Sequence, residues 1–113
     1  IAGLSRLLTA LETAASAAGV TPVLRGSPLV GTALVALDDA AGSVGAQQMA
    51  TFVRALRSAQ TGVGSVVVLE APTTLTAGLD LWGPVGGLEL MRAVKSQFDP
   101  ERRFAPGRFV GGI

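Results

Sequence analysis

Apolar residues near the start of the chain recur at intervals of three and four positions, the spacing of one helical face. They are Leu4, Leu7, Leu8, Leu11, Ala15 and Ala18. The alanines between them have high helix propensity, and Gly19 can adopt the positive φ that often follows the last helical turn. The pattern predicts an amphipathic helix over residues 3–18.

The period of the pattern changes after Gly19. Residues 20–25 and 29–37 are rich in Val and Leu, and Gly26-Ser27-Pro28 between them has the composition of a turn. Two such runs around a turn predict an antiparallel pair of strands. Neither face of the second run is polar, so helices are expected on one face and another covering element on the other.

A second helical stripe and a third strand are predicted further along the chain. The stripe consists of Met49, Phe52, Val53, Leu56 and Ala59. The uninterrupted run Val66–Leu69 is typical of a strand covered on both faces. We therefore expect Val67 and Leu69 to be buried, together with Phe52 and Leu56 on the facing helix.

The last third of the chain contains a loop, a helix and a tail. Residues 72–87 hold two Pro, four Gly and the single Trp82, a composition that predicts a loop. Helical spacing returns in the run before Asp99-Pro100. The helix is expected to end there, because the residue before a proline is disfavoured in the α region. The apolar side of this helix comprises Leu88, Met91, Val94, Lys95 and Phe98. Residues 101–113 show no periodicity.

The predicted order is helix, strand, strand, helix, strand, helix and tail. It indicates an α+β two-layer sandwich with an antiparallel sheet and helices on one face. One more strand ahead of residue 1 would complete the ferredoxin-like βαββαβ plan. Because the sequence begins at Ile1 and its first methionine is Met49, it is either a processed protein or a piece of a longer one, and we expect the latter.

Composition excludes several classes of function. The 113 residues carry a net charge of +1 and include no His, no Cys and no Tyr. Thiol nucleophiles, disulfides, the common zinc sites and Ser-His-Asp triads are therefore excluded. The near-zero charge and 4% aromatic content argue against nucleic-acid binding. The longest apolar run, residues 29–37, is well short of the roughly 20 residues of a membrane span.

Few residues are candidates for chemistry. Arg25 lies at a predicted strand end beside Gly26, where a guanidinium could bind a substrate carboxylate in bidentate fashion or could simply face solvent. Glu70, at the end of the third predicted strand, is either a general base or a solvated carboxylate. The glycines before the third helix do not match a phosphate-binding loop.

The C-terminal residues carry a family resemblance. The segments Leu90–Pro100 and Phe104–Arg108 resemble the C-terminal signature of FAD-linked oxidases of the vanillyl-alcohol oxidase superfamily. That signature is a helix with Met and Lys, then F/L-D-P, then N-P-G-R/K. The best match is the glycolate-oxidase-type FAD-binding subunit, where Trp82-Gly83-Pro84 and the terminal residues 107–113 also fit. The tail's aromatic residues and prolines agree with a segment that lies across a neighbouring domain.

The resemblance implies a flavoenzyme that oxidises a 2-hydroxy acid such as glycolate or lactate. FAD would be bound mainly by an N-terminal domain that this sequence lacks. Residues 1–100 would belong to an incomplete cap domain, which covers the flavin and shapes the substrate pocket without being catalytic alone. Residues 101–113 would pack on the FAD domain.

The resemblance also suggests sites and partners. We assign FAD contacts to Ala105, Pro106, Gly107 and Arg108, and substrate binding to Arg25. Ala105 stands where the family has Asn, so its role would be one of backbone or shape. A second flavin subunit, an iron–sulfur subunit and a cytoplasmic location are also implied. The alternative is a stand-alone ferredoxin-like module that dimerises or binds an effector without redox chemistry.

Overall fold

The computed structural model describes residues 2–27, 29–37 and 44–113. The elements in chain order are α1 (Ala2–Ala18), β1 (Pro22–Ser27), β2 (Thr32–Leu37), α2 (Ala46–Gln60), α3 (Thr73–Thr76), α4 (Leu88–Phe98) and a 3-10 turn (Val110–Gly112). This α+β content confirms the predicted class and the three long helices. Residues 38–43, within the stretch 38–45 for which the sequence predicts a loop, lie outside the described residues. The chain divides into two compact units, one ending at Leu81 and one spanning Trp82–Ile113.

The core of the first unit lies between α1 and α2. Three alanines on one face of α1 are buried, and their small side chains allow α2 to approach closely: Ala10, Ala14 and Ala18. Leu11, Phe52 and Leu56 complete the buried cluster. The predicted burial of Phe52 and Leu56 is therefore confirmed.

A glutamine joins the two helices at their ends. Gln48 accepts a hydrogen bond from the Gly45 N–H through Oε1 at 2.9 Å, which satisfies a donor at the start of α2. Its Nε2 donates to the carbonyl oxygens of Ala18 and Gly19, each at 3.3 Å. One side chain thus pairs backbone groups at the end of α1 and at the beginning of α2.

The predicted antiparallel pairing is confirmed by β1 and β2, but the turn includes residues 29–31 instead of Gly26 and Ser27, which belong to β1. Their register runs from Pro22 opposite Leu37 to Ser27 opposite Thr32. Gly26 is required beside the turn, because a Cβ there would lie 2.5 Å from the carbonyl oxygen of Thr32. The hairpin packs one face on the helical core and leaves the other exposed, so the prediction that both faces are covered is wrong.

The predicted third strand is not formed. The sheet within the described residues has two strands, and residues 64–72 are irregular. Val67 and Leu69 are 37% and 76% exposed, so the prediction that they are buried is wrong. A run of Val and Leu forms a strand only when another strand pairs with it, and no described strand does so here.

Arg57 holds this irregular segment against α2. Its guanidinium donates to three carbonyl oxygens, those of Val66 at 3.0 Å, Asp80 at 2.8 Å and Leu81 at 3.1 Å. The Val68 N–H also donates to the Leu81 carbonyl at 2.8 Å. These contacts connect residues 66–68 to residues 80–81 without a sheet.

Two leucine substitutions test this description of the first unit. Leu56→Ala removes a side chain that is 4% exposed, and it should lower the free energy of unfolding by about 2–5 kcal/mol. Leu69→Ala makes the same chemical change at an exposed position and should cost less than about 1 kcal/mol. Urea unfolding followed by circular dichroism measures both. Equal losses would contradict the observed fold.

Candidate functional site

Helix α4 presents an exposed apolar stripe. Gly87 precedes it with φ of 72°, a conformation that favours glycine, and Glu89 in the first turn pairs with Arg92 at 2.7 Å. The largest apolar side chains of this helix remain in contact with solvent: Leu90, Met91, Val94 and Phe98. Helix α4 therefore carries apolar surface that its own unit leaves uncovered.

Asp99 ends this helix and anchors the tail. The residue is 5% exposed, and its carboxylate accepts hydrogen bonds from the N–H groups of Arg103 at 2.8 Å and Phe104 at 3.0 Å. Lys95 Nζ lies 2.5 Å from the same carboxylate and donates to the Phe104 carbonyl oxygen at 2.7 Å. We call this arrangement of Lys95, Asp99 and residues 103–104 the tail anchor.

The tail anchor sets the ionisation of Asp99. The hydrogen bond from Lys95 holds the pKa of this carboxyl below its usual range, and the two backbone N–H groups act in the same direction. Burial opposes them by penalising the charged form. The charged carboxylate is therefore the form that ties the tail to α4.

The end of the tail packs within the second unit. The rings of Trp82 and Phe109 meet edge to face, with centroids 5.2 Å apart and planes at 64°. Val110 is buried. Gly111 lies so close to Leu88 that a Cβ there would come within 2.5 Å of that side chain. These contacts return the chain end to the beginning of α4.

An open groove lies between α4 and the tail. Its volume is about 620 Å³, and apolar side chains form most of its surface. Met91 and Val94 line it from the helix, and Phe104, Phe109 and Ile113 line it from the tail. The Lys95–Asp99 pair is the charged part of the lining. This groove is suited to an apolar group of a partner or a ligand.

The four residues assigned to FAD form an exposed turn beyond the tail anchor. The Arg108 N–H donates to the Ala105 carbonyl oxygen at 3.2 Å, and all four residues are exposed. Ala105 and Gly107 have φ of 42° and 77°. A Cβ at Gly107 would meet nothing within 4 Å, so a ligand can approach the backbone there. The Arg108 guanidinium makes no hydrogen bond or ion pair with the described residues.

Arg25, the predicted substrate-binding residue, lies in the first unit. It is exposed in β1 opposite Leu34 and has no side-chain partner among the residues that the structure describes. The 105–108 turn belongs to the second unit. Glu70 is exposed as well, as its solvated alternative requires. The role of Arg25 stays a prediction.

Two further properties limit the chemistry of the described residues. Within the described ranges no group of three acidic side chains is placed to hold a metal ion. None of the described helices is both long and apolar enough to cross a membrane.

Comparisons with protein-family models, with curated proteins and with solved structures find no match to this chain.

The tail anchor is the feature that sequence reasoning missed. The sequence indicated that Asp99-Pro100 ends a helix and that Lys95 lies along its apolar edge. A Lys four residues before an Asp that terminates a helix was the available signal, since side chains at this spacing are neighbours. Asp99 can pair with the two later backbone N–H groups only if the tail turns back toward it. The spacing of residues in the sequence does not predict this turn.

Substitution of Asp99 tests the tail anchor through the pH dependence of the stability of the second unit. Because the folded pKa lies below the unfolded one, ionised Asp99 stabilises the second unit near neutral pH, and this contribution is lost as the pH falls below about 4. Asp99→Asn should destabilise the unit near neutral pH and weaken its acid sensitivity. The fluorescence of Trp82, the only tryptophan, reports unfolding of this unit.

The matched control for that substitution is Glu101→Gln. Glu101 is exposed and pairs with Arg103, so its neutralisation should leave the acid transition nearly unchanged. An acid transition of Asp99→Asn that coincides with that of the unsubstituted chain would contradict the assignment of the tail anchor.

Ala105 provides a test of the turn conformation. A side chain with Cβ at φ of 42° is strained, and glycine relieves this strain while adding freedom to the unfolded chain. The strain energy that glycine relieves is larger than the entropic cost of the freer unfolded chain. Ala105→Gly should therefore raise the free energy of unfolding by roughly 0.5–1 kcal/mol. Ala77→Gly, at a residue with negative φ, should not stabilise. Thermal melts compare the two, and a lower melting temperature for Ala105→Gly would contradict the turn.

Proposed function

We propose that this chain is the C-terminal cap part of an FAD-dependent oxidoreductase acting on a 2-hydroxy acid such as glycolate or lactate. In this proposal the tail packs on the FAD-binding part of the parent protein, and the chain is not catalytic alone. A second flavin subunit and an iron–sulfur subunit belong to the same proposal. The observation that supports it most is that large aromatic side chains next to the tail anchor remain exposed to solvent.

The exposed aromatic surface supports a covering partner. Phe98, the residue before Asp99, and Phe104, whose N–H binds the Asp99 carboxylate, are 82% and 71% exposed. Side chains of this size contribute stability only when they are removed from water, at about 25 cal/mol per Å² of apolar surface. Contiguous apolar patches of this kind mark interaction sites. A tail that is held in place while its aromatic residues face outward is suited to contact a neighbouring domain.

The residues of the 105–108 turn are compatible with a flavin contact. The open space at Gly107 admits a planar group close to the backbone, and Arg108 has no partner within its unit to compete for its donors. A guanidinium favours anionic and carbonyl oxygens. FAD, when bound, would supply the acceptor for the substrate's hydride. The contribution of this chain would be to position that group and to exclude water from one side.

The support for a substrate-binding role of Arg25 comes from the chemistry of its guanidinium. Its exposed guanidinium can bind a carboxylate through two parallel hydrogen bonds, which is the recognition that a 2-hydroxy acid requires. The ferredoxin-like completion of the sheet also belongs to this proposal. It would need one more strand, supplied from outside the described residues.

The flavin content of the parent protein tests this function. Arg108→Ala in the full-length gene product should lower the ratio of bound FAD to protein several-fold, because the substitution removes donors from the exposed turn. Arg103→Ala is the matched control, since Arg103 is exposed and already paired with Glu101. Absorbance of the released flavin measures both. A full-length product that carries no flavin, or equal flavin content in both variants, would refute the proposal.

A further inference from the structure

One edge of residues 66–69 has backbone groups without partners. Burial alternates along this segment: Val66 and Val68 are half-buried, whereas Val67 and Leu69 are 37% and 76% exposed. A period of two is that of an extended chain. In an extended chain the backbone groups of successive residues point to opposite edges. Residues 66 and 68 therefore share one edge, and residues 67 and 69 share the other.

The first of these edges is occupied and the second is open. The Val66 carbonyl oxygen accepts from Arg57, and the Val68 N–H donates to Leu81. The N–H and C=O groups of Val67 and Leu69 have no hydrogen-bond partner in the described part of the chain. The segment thus has the pairing capacity of an edge strand and apolar side chains on its exposed face.

We propose that a second copy of this chain pairs with this open edge, antiparallel and centred on Val68. In this register Val67 faces Leu69 of the second copy, and each pair exchanges both of its N–H···O=C bonds. The same two residues serve both copies, as a two-fold symmetric contact requires. The pairing satisfies every open backbone group of Val67 and Leu69.

The side chains also favour this occupant. Val67 of one copy would lie directly opposite Leu69 of the other on the exposed face, and the two would form an apolar cross-strand pair. Glu70 would face Val66, so like charges do not meet. Edge strands are commonly protected by Lys, Pro or a bulge, and residues 65–71 contain no Lys and no Pro. The edge is therefore open to pairing with itself.

The interface is small, which determines its strength. Stable complexes bury about 1,200–2,000 Å² in total, and a pair of strands this short buries less. We therefore expect a weak dimer that forms only at high protein concentration. This association does not depend on the flavin proposal.

Sedimentation equilibrium over a wide range of concentration measures the association directly. The average mass should rise with concentration from the monomer value of 11.4 kDa toward twice that value. Amide hydrogen exchange at Val67 and Leu69 should slow in step with the mass. Exchange at Val68 should change little, because its N–H is already bonded to Leu81.

Two variants separate edge pairing from general apolar association. Leu69→Lys places charge at the pair and should abolish both the mass increase and the protection of Val67. Leu90→Lys makes the same change at a similarly exposed leucine of the second unit, 70% against 76% exposed, and should leave the dimer intact. A monomer at every concentration, unprotected amides at residues 67 and 69, or equal loss in both variants would overturn the proposal.

Discussion

Partly buried backbone groups need hydrogen-bond partners, and in this chain Arg57 and Asp99 supply them to two of the irregular segments. Arg57 binds three carbonyl oxygens and so fixes residues 66–68 to residues 80–81. Asp99 binds two N–H groups and fixes the start of the tail. Only 15% of the residues are charged, yet two of them hold the segments that no helix or strand includes.

The same two residues determine which apolar surface stays exposed. Arg57 occupies one edge of the 66–69 segment and leaves the opposite edge open. The tail anchor turns the chain back along α4, so that Phe104 and Phe109 line a groove instead of filling a core. In each unit a polar contact therefore holds a segment whose apolar side chains stay exposed to solvent. The proposed cap function and the proposed pairing of two copies concern these two surfaces separately.

The helices were predictable from the sequence because their apolar spacing and the glycines beyond them act locally. The hairpin was predictable as two apolar runs around a turn, but Gly26 and Ser27 belong to β1 and the turn includes residues 29–31. The third strand was predicted wrongly, because Val66–Leu69 specifies an extended apolar segment but not the strand that would pair with it. The tail anchor could not be predicted, since Asp99 reaches N–H groups four and five residues later only after the tail has turned. The roles of Arg25 and of the 105–108 turn stay predictions, because exposed side chains without partners leave no mark in the fold.

The central claim is that the tail of this chain lies against the FAD-binding part of a longer flavoenzyme. Amide hydrogen exchange of residues 101–113 in the full-length protein, compared with and without bound FAD, tests it most directly. The account predicts that the amides of residues 105–109 exchange more slowly when FAD is bound and faster after it is removed. The same exchange rates in both states would contradict the claim.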